Sequence, residues 1–148
     1  MYINLTRQCV PSQTYRELLG TALCVFNSNN SFVIENVLHT NDKDYNWYEL
    51  IDKESGQLKK VIKETILTKT DNDILDLFSD IVEMRNRIIH SFQITDKDGE
   101  QRLATKTKIK DGNIQFVITE EYLTDFIKKN ETLCLKLHEY RSKVWVQV

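Results

Sequence analysis

The hydrophobic pattern of this chain keeps one period over most of its length and changes it once. Apolar residues mostly recur at the three- and four-residue spacing of amphipathic helices. Around Asp111-Gly112 they alternate instead. Thr105, Thr107 and Ile109 interleave with Lys106, Lys108 and Lys110 before the pair, and Ile114, Phe116 and Ile118 with Gln115, Val117 and Thr119 after it. Alternation on both sides of an Asp-Gly pair predicts a β-hairpin. The expected fold is mainly α: an up-and-down helical bundle with a hairpin, at about residues 101–119, inserted before the last long helix.

The helical stretches can be placed from their boundary residues. Pro11 followed by Ser12, Gln13 and Thr14 reads as a helix start. Leu18, Leu19, Ala22, Leu23, Val25 and Phe26 follow at helical spacing, a polar patch from Asn27 to Ser31 interrupts them, and Phe32, Val33, Ile34, Val37 and Leu38 resume. This predicts either one kinked helix or two. Residues 47–67 form a second helical region, in which Gly56 weakens the middle by about 1 kcal/mol relative to alanine. Asp71 and Asp73 open a third helix, where carboxylates suit the dipole and can cap free N–H groups. It is expected to run to about Phe92. Thr119, followed by Glu120 and Glu121, opens the last helix, which extends to about Val144.

At 148 residues the prior is a single domain, spanning 1–148. The net charge of −2 argues against a strongly basic nucleic-acid-coating protein, but it averages over faces. From Lys97 to Lys110, five cations stand against Asp98 and Glu100. Lys106, Lys108 and Lys110 would share one strand face, as a phosphate-tracking edge or as lysines that protect an edge strand. The three cysteines have scattered spacings, with no CxxC and no zinc-type Cys/His pair. They read as small buried hydrophobes in a reducing cytoplasm, and no metal or cofactor is expected. Residues 1–13 lack the order of a secretory signal, and no apolar run approaches the roughly 20 residues of a membrane span. A cytoplasmic protein without membrane contact is the expectation.

The third helix carries the chemistry. On a helical wheel at about 100° per residue, Ile74, Leu77, Phe78, Ile81, Ile88 and Phe92 share one sector, and Arg85 falls among them. An internal guanidinium without a partner is costly. Arg85 must therefore pair with a carboxylate, or its part of the stripe must face a polar cleft or a partner chain. Asn86 and His90, four apart, share an edge of the helix, whereas about 140° separates Arg85 from His90. A histidine can exchange a proton with a ribose 2′-hydroxyl or a leaving 5′-oxygen. An arginine can hold the phosphate by parallel hydrogen bonds, and an asparagine can orient either. Arg87, on the polar side, is a solvated charge or a further phosphate contact.

Met84-Arg85-Asn86-Arg87-Ile88-Ile89-His90-Ser91 resembles the signature of HEPN-domain ribonucleases, in which a histidine follows an arginine and a polar residue late in a core helix. The resemblance implies a homodimer with two motifs facing each other and metal-independent RNA cleavage that leaves a 2′,3′-cyclic phosphate. It gives Arg85, Asn86 and His90 the catalytic positions. Small members resemble toxins of toxin–antitoxin or phage-defence systems, which implies a possible antitoxin partner. Some carry a tyrosine two places after the histidine that the antitoxin modifies; Phe92 stands there, so that mode of neutralisation is not implied. A catalytically inactive HEPN-like module for binding or dimerisation is the alternative. His39 and His138 belong to no comparable set. Asp96-Lys97-Asp98-Gly99 reads as a turn, since it lacks the later ligands of a calcium loop. Tyr45, Trp47 and Tyr48 could stack on bases, but read better as packing residues.

Overall fold

The computed structural model describes residues 5–145. The chain is mainly helical, with a small three-stranded antiparallel sheet of order β1-β2-β3. Helix α1, Gln13–Thr40, starts where Ser12 accepts a hydrogen bond from the Tyr15 N–H at 3.3 Å. It passes through the polar patch as one helix. Asn29 there is buried, and its Nδ2 donates to the backbone carbonyl of Asn130 at 2.7 Å and to its Oδ1 at 3.0 Å. The patch therefore does not interrupt the helix. One of its amides is a buried polar link to α5, Glu120–Val144. Tyr15 contacts Ile118, Asn29 contacts Asn130 and Thr40 contacts Tyr140, so α1 and α5 run in the same direction.

The second helical region is two helices, α2 (Trp47–Asp52) and α3 (Ser55–Glu64), followed by a 3₁₀ turn at Ile66–Thr68. The break falls at Lys53, with extended backbone, and Glu54. Gly56 therefore lies in the first turn of α3 rather than in the middle of a longer helix. Helix α4, Asp73–Ile89, begins beside an Asp71 carboxylate that accepts from the Asp73 N–H at 3.1 Å. Tyr122 bonds Met84 and Lys136 bonds Asp73, so α4 is antiparallel to α5. The fully buried Phe78, Ile81, Phe126, Leu133 and Ile34 are among the core side chains that join these helices.

Helix α4 ends earlier than its apolar stripe suggests. His90 leaves the helix at φ −93, ψ 48, and Phe92 is the first residue of β1, Phe92–Thr95. The hairpin expected at 101–119 is thus the second half of a sheet. Strand β2, Gln101–Lys106, pairs with both β1 and β3, Gln115–Ile118. The β1–β2 turn is Asp96 to Gly99, where the Asp96 carboxylate accepts the N–H groups of Asp98 and Glu100, both at 2.9 Å, and Gly99 has φ +81. The Asp-Gly loop is wider than a two-residue turn, because Ile109–Asp111 coils into a 3₁₀ turn that ends on Gly112 at φ +93. Lys108 and Lys110 consequently lie outside any strand, and the three lysines do not share a strand face.

Tyr15 fastens the sheet to the bundle. Its hydroxyl accepts from the Leu103 N–H at 3.1 Å and donates to the Ile118 carbonyl at 2.8 Å, and the residue is fully buried. Burial raises its pKa. Tyr15→Phe strands a buried carbonyl and a part-buried N–H, at about 1–3 kcal/mol for a fully buried group. Urea unfolding is expected to show a loss of about 2–4 kcal/mol; a loss of a few tenths would mean that the bridge is dispensable.

The cysteine expectation is corrected. Cys9 and Cys24 are exposed and Cys134 is half-buried. Cys24 lies on the outer side of α1, where helical periodicity alone does not tell an outward small residue from an inward one. Among the described residues no helix is long and apolar enough to cross a membrane.

Candidate functional site

Arg85 sits between two buried neighbours on α4, Ile81 and Ile88, yet it is itself only half-buried. The neighbouring elements stand back at this level and leave a cleft of about 490 Å³. Phe26, Asn27 and Asn30 line it from α1, and Ile51 and residues 53–56 from the α2–α3 connection. Arg85, Asn86 and His90 complete it from α4. The three residues expected to be catalytic therefore border one cavity in a single chain.

Asn86 stands between the other two on the helical wheel, about 100° from Arg85 and 40° from His90, so a cleft this wide is bordered by all three. His90 is the exposed C-terminal cap of α4. Its N–H donates to the Asn86 carbonyl at 2.9 Å, and its own carbonyl accepts from Thr105 Oγ1 at 3.1 Å. Thr105 is buried on β2. The sheet thus holds the backbone of the histidine.

The Arg85 guanidinium lies 5.3 Å from the centroid of the Phe26 ring. Such a contact contributes about 0.5–1 kcal/mol and leaves the N–H donors unused. Among the described residues Arg85 makes no hydrogen bond or ion pair. Two other half-buried arginines differ. Arg87 donates to the Lys106 carbonyl at 2.7 Å and lies 3.6 Å from Glu83. Arg102 stands between Asp96 at 3.8 Å and Glu120 at 3.7 Å. Of the two alternatives for a guanidinium in the apolar stripe, Arg85 takes the polar cleft.

The remaining basic candidates lie elsewhere. Lys108 pairs with Glu83 at 2.6 Å, Lys106 bonds the side chain of Asn113, and Lys110 is exposed on the 3₁₀ turn. Together with Arg87, Lys106 and Lys108 tie the hairpin loop to the end of α4, and none of these four residues borders the cleft. Tyr122 supports the same end of α4, donating to the Met84 carbonyl at 3.2 Å. Burial, reinforced by the Glu83 and Asp125 carboxylates, pushes its pKa up to about 12 despite Arg87. His39 stacks on Trp145 and His138 packs against Phe32 in a tilted arrangement, both away from the cleft. Trp47 is half-buried against the core, Tyr45 bonds Glu64, and Tyr48 is exposed.

The motif says nothing of the opposite wall, where Asn27, Asn30, Lys53 and Ser55 stand. The one available signal is the polar patch at 27–31, which reads as a kink or a break in the helix. Among the described residues no three His, Cys, Asp or Glu are grouped to hold a metal ion. A comparison with family models, curated proteins and solved structures finds no match for the chain.

Proposed function

We propose that this protein is a metal-independent endoribonuclease of the HEPN type that acts as a homodimer. The observation that carries the reading is Arg85, whose half-buried guanidinium has no acceptor among the described residues and shares a cleft with Asn86 and His90. A planar fork of donors suits a phosphodiester. The imidazole that borders the same cleft supplies the proton transfers of transesterification.

In this reaction the ribose 2′-oxygen attacks the neighbouring phosphorus as its proton passes to a base. The bond from phosphorus to the 5′-oxygen breaks, and that oxygen gains a proton. The products are a 2′,3′-cyclic phosphate and a 5′-hydroxyl end. Arg85 neutralises the charge that develops on the phosphoryl oxygens. Asn86 orients the phosphate or the imidazole. One histidine per protomer gives a dimer two proton-transfer groups, one for each step. Ile89 and Phe92, either side of His90 in sequence, are each 47% exposed. A second copy would cover this apolar surface through a two-fold contact. A toxin or defence effector, held in check by an antitoxin, is the biological role that goes with this activity.

The test uses purified protein and total RNA in EDTA. Wild type is expected to cleave and leave cyclic phosphate ends, and His90→Ala to leave the RNA intact. Equal survival of RNA with both proteins would remove the enzyme reading and leave a binding or dimerisation module. Growth arrest on expression in a bacterial host, relieved by His90→Ala, would support the toxin role.

A further inference from the structure

The wall facing α4 has a chemistry of its own. Asn27 and Asn30 are three apart on α1, so they stand side by side on one helix face, and both border the cleft. The buried asparagines of the bundle use their amide NH₂ groups internally. Asn29 bonds Asn130, Asn36 donates to the Phe32 carbonyl and Asn130 donates to the Phe126 carbonyl. Asn27 is exposed, and among the described residues its amide has no hydrogen bond. Asn30 only accepts from the Ser55 hydroxyl at 3.4 Å, which leaves its NH₂ unused.

Charged donors hold an anion more strongly than neutral amides do, and Arg85 and Lys53 are present for that. The amides are well suited to a nucleobase edge, because a carboxamide offers a donor and an acceptor in one plane, as the base edges do. Ile51, exposed at the same wall, offers an apolar surface to a base face. The cleft volume of about 490 Å³ falls in the roughly 300–1,000 Å³ range of small-ligand sites. It has room for a nucleotide and not for a paired helix. Sequence is read in RNA chiefly on unpaired bases that are splayed into such pockets.

We propose that Asn27 and Asn30 form a base-reading wall, which selects an unpaired nucleobase beside the phosphate held by Arg85. Lys53 adds positive charge for the same nucleotide, partly offset by Glu54 next to it. The inference builds on the RNA reading of the cleft, but it concerns binding and can be measured without cleavage.

The experiment titrates the four nucleoside 3′-monophosphates into the full-length protein by NMR or calorimetry. Wild type is expected to prefer at least one base over another by about tenfold, the discrimination of one good paired contact. The Asn27→Ala/Asn30→Ala double variant should flatten the preference to within about threefold while its circular dichroism stays native. Asn30→Asp, which exchanges the donor for an acceptor, should alter which base is preferred. Equal binding of the four nucleotides by wild type, a preference that survives in the double variant, or no saturable binding at millimolar concentrations would overturn the proposal. Selective binding that depends on the asparagines, in a protein that does not cleave RNA, would support this inference and remove the ribonuclease reading.

Discussion

Arg85→Ala is expected to lower RNA cleavage by about 10²–10³-fold, the usual effect of removing one preorganised donor from a developing oxyanion. It should leave the fold nearly intact. Deleting an arginine from a buried ion pair abandons its partner and costs about 3–5 kcal/mol, but Arg85 has no such partner among the described residues. What it loses is the contact with Phe26 and the packing of its stem, about 1 kcal/mol. Arg85→Lys keeps the charge and loses the planar fork, so substrate affinity should recover more than turnover. Steady-state cleavage of a short oligoribonucleotide, with thermal unfolding in parallel, measures both quantities. A variant that unfolds, or one that cleaves at the wild-type rate, would show that Arg85 is structural.

That separation of roles rests on a feature legible in the sequence. A cation in the middle of an apolar stripe is visible as soon as residues 73–92 are set on a wheel, and of the alternatives it leaves open the structure shows a cleft. The geometry of the cleft was less legible, for a specific reason. The stripe continues through Phe92 with helical spacing, so nothing apolar marks the end of α4. Phe92 and Ile94 also alternate with Gln93 and Thr95, and this competing period wins because β2 pairs with it. His90 caps the helix and borders the same cavity as Arg85. A non-local strand pairing, invisible to local periodicity, therefore sets where α4 ends and, through Thr105, holds the backbone of the histidine.

The polar patch at 27–31 teaches the converse. Polar residues inside a helical pattern read as a break when each helix is pictured against solvent. Asn29 instead faces α5, where Asn130 supplies both acceptors for its amide NH₂, while Asn27 and Asn30 face the cleft. Knowing which side of α1 was apolar could not reveal this, because the partners lie about a hundred residues away in sequence. The lysines at 106, 108 and 110 show the same limit from the other side. Their alternation is real, but Glu83 and the 3₁₀ turn at Ile109–Asp111 take Lys108 and Lys110 out of the strand.

Gly56 gives the sharpest separation of folding from function, because one substitution should move them in opposite directions. It occupies the first turn of α3, borders the cleft, and a Cβ built there meets nothing within 4 Å. Gly56→Glu replaces the least favourable ordinary helix residue by a good one, a gain of up to about 1 kcal/mol. A carboxylate in the first turn also suits the helix dipole, by about 0.3–1 kcal/mol. Lys60, four residues on and now 3.8 Å from Glu64, adds a favourable pairing partner on the same face. The thermal midpoint should therefore rise, by about 2–4 °C per kcal/mol gained. The same carboxylate enters a cavity that already contains Glu54, competes for Arg85 and repels an incoming phosphate. At short range near a protein surface that repulsion is worth a few kcal/mol, so RNA binding and cleavage should fall by about 10²-fold. Gly56→Gln has the same shape without the charge, and its smaller loss would assign the effect to electrostatics rather than crowding. The loss in Gly56→Glu should shrink as salt screens the charge. A stabilised Gly56→Glu protein that still binds and cleaves RNA at the wild-type level would place the substrate somewhere other than this cleft.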